Sequence, residues 1–132
     1  MNKKKRELVY RKFDGKCGYT GIPLPSCWDV DHIVPKSDKR WANREKYGSP
    51  NNIDNLIPTF RQINILKADL SIDEFRHLLS DLRLDLFGAI SSPCMTNKLH
   101  IIRLEVAHLF GISFKKPFCG KFYFEQFKRN KR

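Results

Sequence analysis

The sequence predicts a small α+β protein, with two short extended segments and a helix at its centre, one helix before them and a helical C-terminal extension after. Three observations carry this. Residues 26–34, SCWDVDHIV, alternate in polarity, are rich in β-formers and stop at Pro35. Residues 53–58 form a second short extended piece. From residue 60 onward, apolar residues recur at three- and four-residue steps, the spacing of one helix face.

The elements follow in order. Residues 3–13 read as a helix with Leu8, Val9 and Phe13 on one side and basic residues elsewhere, ended by Asp14-Gly15. The run CGYTGIPL reads as short extended pieces turning at Gly18, Gly21 and Pro23. After the strand at 26–34, a polar, basic loop runs to Asn52. Phe60, Ile63, Leu66 and Leu70 predict a helix over 60–70. Ser71-Ile-Asp-Glu74 is a capping box that opens another, carrying Ile72, Phe75, Leu79 and Leu82. Beyond a loop containing Pro93, Leu99, Ile102, Val106 and Leu109 are the buried row of a third stretch, about 97–110, with Gly111 as its stop.

The chain has 132 residues, enough for one domain over 1–132, with a core at 15–70 and a helical extension with a basic tail at 71–132. Hydrophobic residues at 41% and aromatics at 12% exclude a low-complexity or wholly disordered chain. No stretch approaches the roughly 18 apolar residues of a membrane span. The opening MNKKKRELVYRKF has the charge of a signal peptide without its apolar run, so the expected compartment is the cytoplasm and no membrane partner is expected. Cys17, Cys27, Cys94 and Cys119 make no C-x-x-C pair and read as thiols, mostly in the core.

The formal net charge of +11 points to a polyanionic partner, and its distribution sharpens the point. Residues 1–16 carry seven basic and two acidic side chains, 36–52 five and two, and 111–132 seven and one, while 17–35 hold only Asp29 and Asp31. In the last block, basic residues from Lys115 to Arg129 interleave with Phe118, Phe122, Tyr123, Phe124 and Phe127, aromatics that stack on bases or pack a core. The basic loop supplies Lys36, Lys39, Arg40, Trp41, Arg44 and Lys46 as candidate nucleic-acid contacts. Trp28 reads as core beneath the strand, and Trp41 is open between packing and base contact. His77, His100 and His108 lie on or beside apolar helical faces and read as surface or satisfied-core residues.

The order of polar residues through strand, loop, strand and helix is the most informative pattern. Asp31-His32 ends the strand, Asn55 opens the second extended piece, and Asn64 and Lys67 lie one turn apart on the helix. A hairpin packed on that helix is expected to bring Asp31 and Asn64 together, with His32 on the neighbouring side, because adjacent strand residues point to opposite faces. The segment GKCGYTG…WDVDHIVPKS…NNIDNLIPTFRQINILK resembles the HNH, or ββα-metal, endonucleases, and is most similar to the HNH domain of the RNA-guided CRISPR nucleases. The string DHIVPKS, the nine-residue step from Asn55 to Asn64 and the closing Asn-x-x-Lys make the likeness specific. The resemblance implies His32 as general base, Asp31 and Asn64 as metal ligands, Asn55 as the residue bracing the loop and orienting His32, and Lys67 near the phosphate. Lys67 has a plainer alternative as a solvated helix lysine. The chain departs from the zinc-ribbon HNH proteins, with Cys17-Gly-Tyr-Thr20 where their first C-x-x-C pair falls, so no structural zinc is expected and Tyr19 and Ile22 pack that corner.

The chemistry stands apart from the likeness. Phosphodiester hydrolysis needs an activated water, stabilised phosphoryl charge and help for the departing alkoxide. A neutral imidazole suits the first task, and a divalent ion the other two. A carboxylate and an amide are hard oxygen ligands, which favours Mg²⁺ or Mn²⁺. The expectation is a metal-dependent endonuclease acting on DNA, leaving by resemblance a 5′-phosphate and a 3′-hydroxyl. Its competitors are an RNA-cleaving nuclease and a non-catalytic nucleic-acid-binding module. The helices from Ser71 to Phe110 offer enough apolar surface for a homodimer contact.

Overall fold

The computed structural model describes residues 1–87 and 98–127, so Pro93, Cys94 and the tail residues Lys128 and Arg129 lie outside the described residues. The arrangement is α+β. In chain order it comprises α1 (Lys3–Arg11), β1 (Asp29–His32), the one-turn α2 (Arg44–Tyr47), β2 (Leu56–Thr59), α3 (Arg61–Lys67), α4 (Ile72–Phe87), α5 (Lys98–Leu109) and the one-turn α6 (Tyr123–Gln126).

β1 and β2 pair antiparallel, with Asp29 opposite Thr59, Asp31 opposite Ile57 and His32 opposite Leu56. The strand is shorter than the predicted 26–34 because its partner offers only the four residues between the Ile53–Asn55 turn and α3. Strand alternation gives this ribbon two different faces. One carries Leu56 into a small cluster with Val9 of α1 and Trp28. The other carries Ile57 into the main core, with Ile63 and Leu66 of α3 and Phe75, Leu79 and Leu82 of α4. The ribbon is thus a layer between α1 and α3.

Gly18 sits where this layer is tightest: a Cβ there would lie 2.1 Å from the side chain of Ile57. The capping box forms as expected, with the Ser71 amide donating to Glu74 Oε1 at 2.9 Å and the Glu74 amide to Ser71 Oγ at 3.1 Å. On α5, Val106 is buried, whereas Leu99 is 44% exposed and does not join the predicted row.

The C-terminal aromatics are core rather than a base-stacking surface. Phe118 and Phe122 are buried, Phe75 and Phe122 stack at 5.6 Å, and Tyr19 stands edge-on to Phe75, Phe122 and Phe124. Backbone bonds fasten this segment to the 17–24 turns, from the Phe124 amide to Gly18 at 2.7 Å and from the Tyr123 amide to Tyr19 at 3.0 Å. Ile22, expected to help pack that corner, is 37% exposed. Cys17 is buried, but Cys27 and Cys119 are exposed free thiols, which corrects the expectation of mostly core cysteines. Among the described residues no helix is long and apolar enough to cross a membrane.

Candidate active site

The site residues divide across the two faces of the ribbon. Asp29 and Asp31, two positions apart on β1, both turn toward α3, where Asn64 and Lys67 lie three positions apart. Laid along the strand, the helix pairs them in register. Asn64 Nδ2 donates to Asp29 Oδ2 at 3.2 Å, and Lys67 Nζ lies 3.3 Å from Asp31 Oδ2. The partner of Asn64 is therefore Asp29, one pleat before the expected Asp31.

Lys67 is not at the phosphate surface the resemblance implies, nor is it solvated. It is fully buried, and Nζ also donates to the carbonyl of His32 at 2.9 Å. Asp31 accepts from the Tyr19 hydroxyl at 2.5 Å. Burial, then the charge and hydrogen bond of Asp31, hold the Tyr19 phenol well above its ordinary value of 10.0. Tyr19, Asp31 and Lys67 form one buried polar network at the root of the strand end that carries His32.

His32 points the other way. With Val30 it faces α1 and lines an open cleft of about 340 Å³ that also takes in Lys5, Arg6, Lys36 and Asn51. His32 Nε2 lies 2.8 Å from Asn51 Oδ1. An amide oxygen only accepts, so Nε2 is the donor of this bond, and in the neutral imidazole Nδ1 is then the nitrogen with the lone pair. Asn51 is in turn held by Lys5, whose ammonium donates to the Asn51 carbonyl.

Asn55 is buried and ties together both ends of the basic loop. Its Oδ1 accepts from the Val34 amide at 2.9 Å, and its Nδ2 donates to the carbonyls of Val34 at 3.0 Å and Pro50 at 2.9 Å. The loop between them has structure of its own, a 3-10 turn at Lys39–Ala42 capped by Asp38 and then α2 capped by Asn43. Lys36, Lys39, Arg40, Arg44 and Lys46 are all exposed, and Lys36 alone of them lines the His32 cleft. Trp41 is half-buried, its Nε1 donating to Pro35 at 2.9 Å, which makes it a strut of the loop.

Sequence reasoning gave Asp29, Tyr19, Asn51 and Lys5 no place in the site, Tyr19 being expected only to pack its corner. The i, i+2 spacing of Asp29 and Asp31 was signal enough for the first. Nothing local marks the other three, which come from turns or a helix brought in by packing.

The oxygen donors toward α3, Asp29, Asp31 and Asn64, are of the kind that suits Mg²⁺ or Mn²⁺, ions that keep several waters. A cation taking the Asp31 carboxylate would have to displace the Lys67 ammonium from it. No family model matches the chain, and neither a curated protein nor a solved structure matches it.

Proposed function

We propose that the protein is a metal-dependent nuclease of HNH type that hydrolyses phosphodiester bonds of DNA, with His32 as the base that activates water. One observation carries the reading. A single short strand turns a histidine into an open, basic cleft on one face and two carboxylates toward an asparagine-bearing helix on the other. Phosphodiester hydrolysis calls for a base beside cationic surface, with hard oxygen donors close by.

His32 Nδ1 takes the proton of the attacking water, since Nε2 is held by Asn51. Asn55 keeps the strand end and the loop at a constant distance, so that the imidazole does not swing with the loop. Lys5, Arg6 and Lys36 draw the phosphate toward the imidazole. Asp29 and Asn64, joined by Asp31 once Lys67 is displaced from it, would hold a Mg²⁺ or Mn²⁺ ion, which when bound supplies positive charge for the phosphoryl oxygens and the leaving alkoxide.

The test is nicking of supercoiled plasmid by the purified protein with Mg²⁺ or Mn²⁺. His32→Ala should reduce the rate on the order of 10²-fold or more, the share a general base contributes. Full activity in His32→Ala, or indifference to EDTA, would overturn the mechanism. RNA offered to the same preparation establishes the polymer, and binding without cleavage of either would leave a non-catalytic module.

A further inference from the structure

The cleft beside His32 is walled by cations from two separate parts of the chain. Lys5 and Arg6 come from α1, and Lys36 from the start of the basic loop, with His32 and Asn51 completing the polar lining. No carboxylate is among the lining residues. The two α1 cations are already anchored, and their acceptors are neutral. Lys5 Nζ donates to the Asn51 carbonyl, and Arg6 donates to the Trp28 carbonyl while its guanidinium lies 3.8 Å over the Trp28 ring. Backbone carbonyls and a ring hold these groups in place without cancelling their charge. Anchored cations lose little further freedom when an anion arrives, which favours binding. A concave, polar seat of about 340 Å³ suits a compact anion better than the broad apolar contact a lipid surface needs.

We propose that this cleft seats one phosphate of a polynucleotide backbone, with Lys5 of α1 and Lys36 of the loop as its two neutralising contacts. The N-terminal helix is thereby part of the nucleic-acid interface, which the loop alone does not complete. The choice of a polynucleotide rests on the nuclease reading above; the anion chemistry of the cleft does not.

Fluorescence anisotropy with a labelled 20-base-pair duplex in EDTA, over roughly 50 to 200 mM salt, tests this without any cleavage. Lys5→Gln and Lys36→Gln should each weaken binding and each lower the slope of log K against log salt by about 1, and the double variant by about 2. Lys5→Arg should restore both readings, which excludes damage to α1 as the cause. Lys98→Gln, on the exposed start of α5, should change the slope much less. An unchanged slope in the double variant, or an equal loss in Lys98→Gln, overturns the proposal. Inorganic phosphate at millimolar concentration should compete with the duplex in the wild type and not in the double variant; equal competition in both counts against the seat. A protein that binds through Lys5 and Lys36 yet never cuts keeps the seat and loses the nuclease reading, whereas one that cuts while the double variant binds normally does the reverse.

Discussion

The Lys67 ammonium lies 3.3 Å from Oδ2 of Asp31, and the two side chains are only 0% and 7% exposed. An ion pair so far from water holds only because every charge finds further partners, here the Tyr19 hydroxyl and the His32 carbonyl. Removing one partner strands the other. Lys67→Met should destabilise the fold by about 3–5 kcal/mol in urea denaturation. Asp31→Asn combined with Lys67→Met should cost clearly less than the two singles added together. Strict additivity would show that the pair is not coupled. Loss of cleavage in an Asp31 variant therefore needs a stability measurement beside it before it speaks to metal binding.

Tyr19 gives the molecule an alkaline signature. Its phenol is held well above 10.0, so above pH 10 the unfolded chain loses a proton that the folded chain keeps. The folded state then binds more protons than the unfolded one, and stability falls as pH rises through that range. Below pH 10 the contribution is fully present, and Tyr19→Phe should cost about 1.5–3 kcal/mol, the worth of a hydrogen bond to a charged group. Unfolding free energies of the two proteins should converge as pH climbs beyond 10. Lys12, pushed down chiefly by burial, adds a trend of opposite sign that is common to both proteins and cancels in the difference. Parallel curves would dismiss Tyr19 as the source.

Asn51 should matter to turnover more than to binding. Its Oδ1 holds the His32 Nε2 proton, and without it the imidazole is freer to take the other tautomer or rotate. Asn51→Ala should lower kcat by roughly 10- to 100-fold, part of the 10²–10⁴ a general base supplies. KM should change little. A rise in KM at unchanged kcat would place Asn51 in substrate binding instead.

The outer loop should add affinity without sequence preference. Lys39, Arg40 and Arg44 are exposed, and changing all three to Gln should lower the salt slope of DNA binding by up to about 3. The melting temperature should hardly move, because surface substitutions of this kind stay within about 0.5 kcal/mol each. Selective loss for particular sequences would instead mark base contacts.

Local chemistry was legible and relative placement was not. The Ser71–Glu74 box, the α3 and α4 rows and the turn at Gly111 follow from side chains a few residues apart, which interact whatever the rest of the chain does. Strand and helix pairing does not. Whether Asn64 meets Asp29 or Asp31 depends on how far α3 slides along β1, a shift of one pleat that leaves the apolar pattern unchanged. A lone Lys67 on a short helix looks like a solvated residue until Asp31 and Tyr19 are seen to enclose it. The Phe-rich tail, set among lysines, has the composition of a stacking surface, and only its docking on Tyr19 makes it core.

That docking also governs when the site can be finished. Gly18 and Tyr19 bond to Phe124 and Tyr123 across about a hundred residues of chain, and such distant closures are made slowly and late. On a ribosome adding about 5–20 residues per second, His32, Asn55 and Asn64 all emerge several seconds before Phe122 and Phe124, two of the rings that brace Tyr19. A nascent chain halted after α5 would hold the full set of proposed catalytic residues while Tyr19, already against Phe75, still lacked Phe122 and Phe124. The packing around Tyr19, beside the proposed site, is thus completed by a segment that contributes none of the proposed site residues.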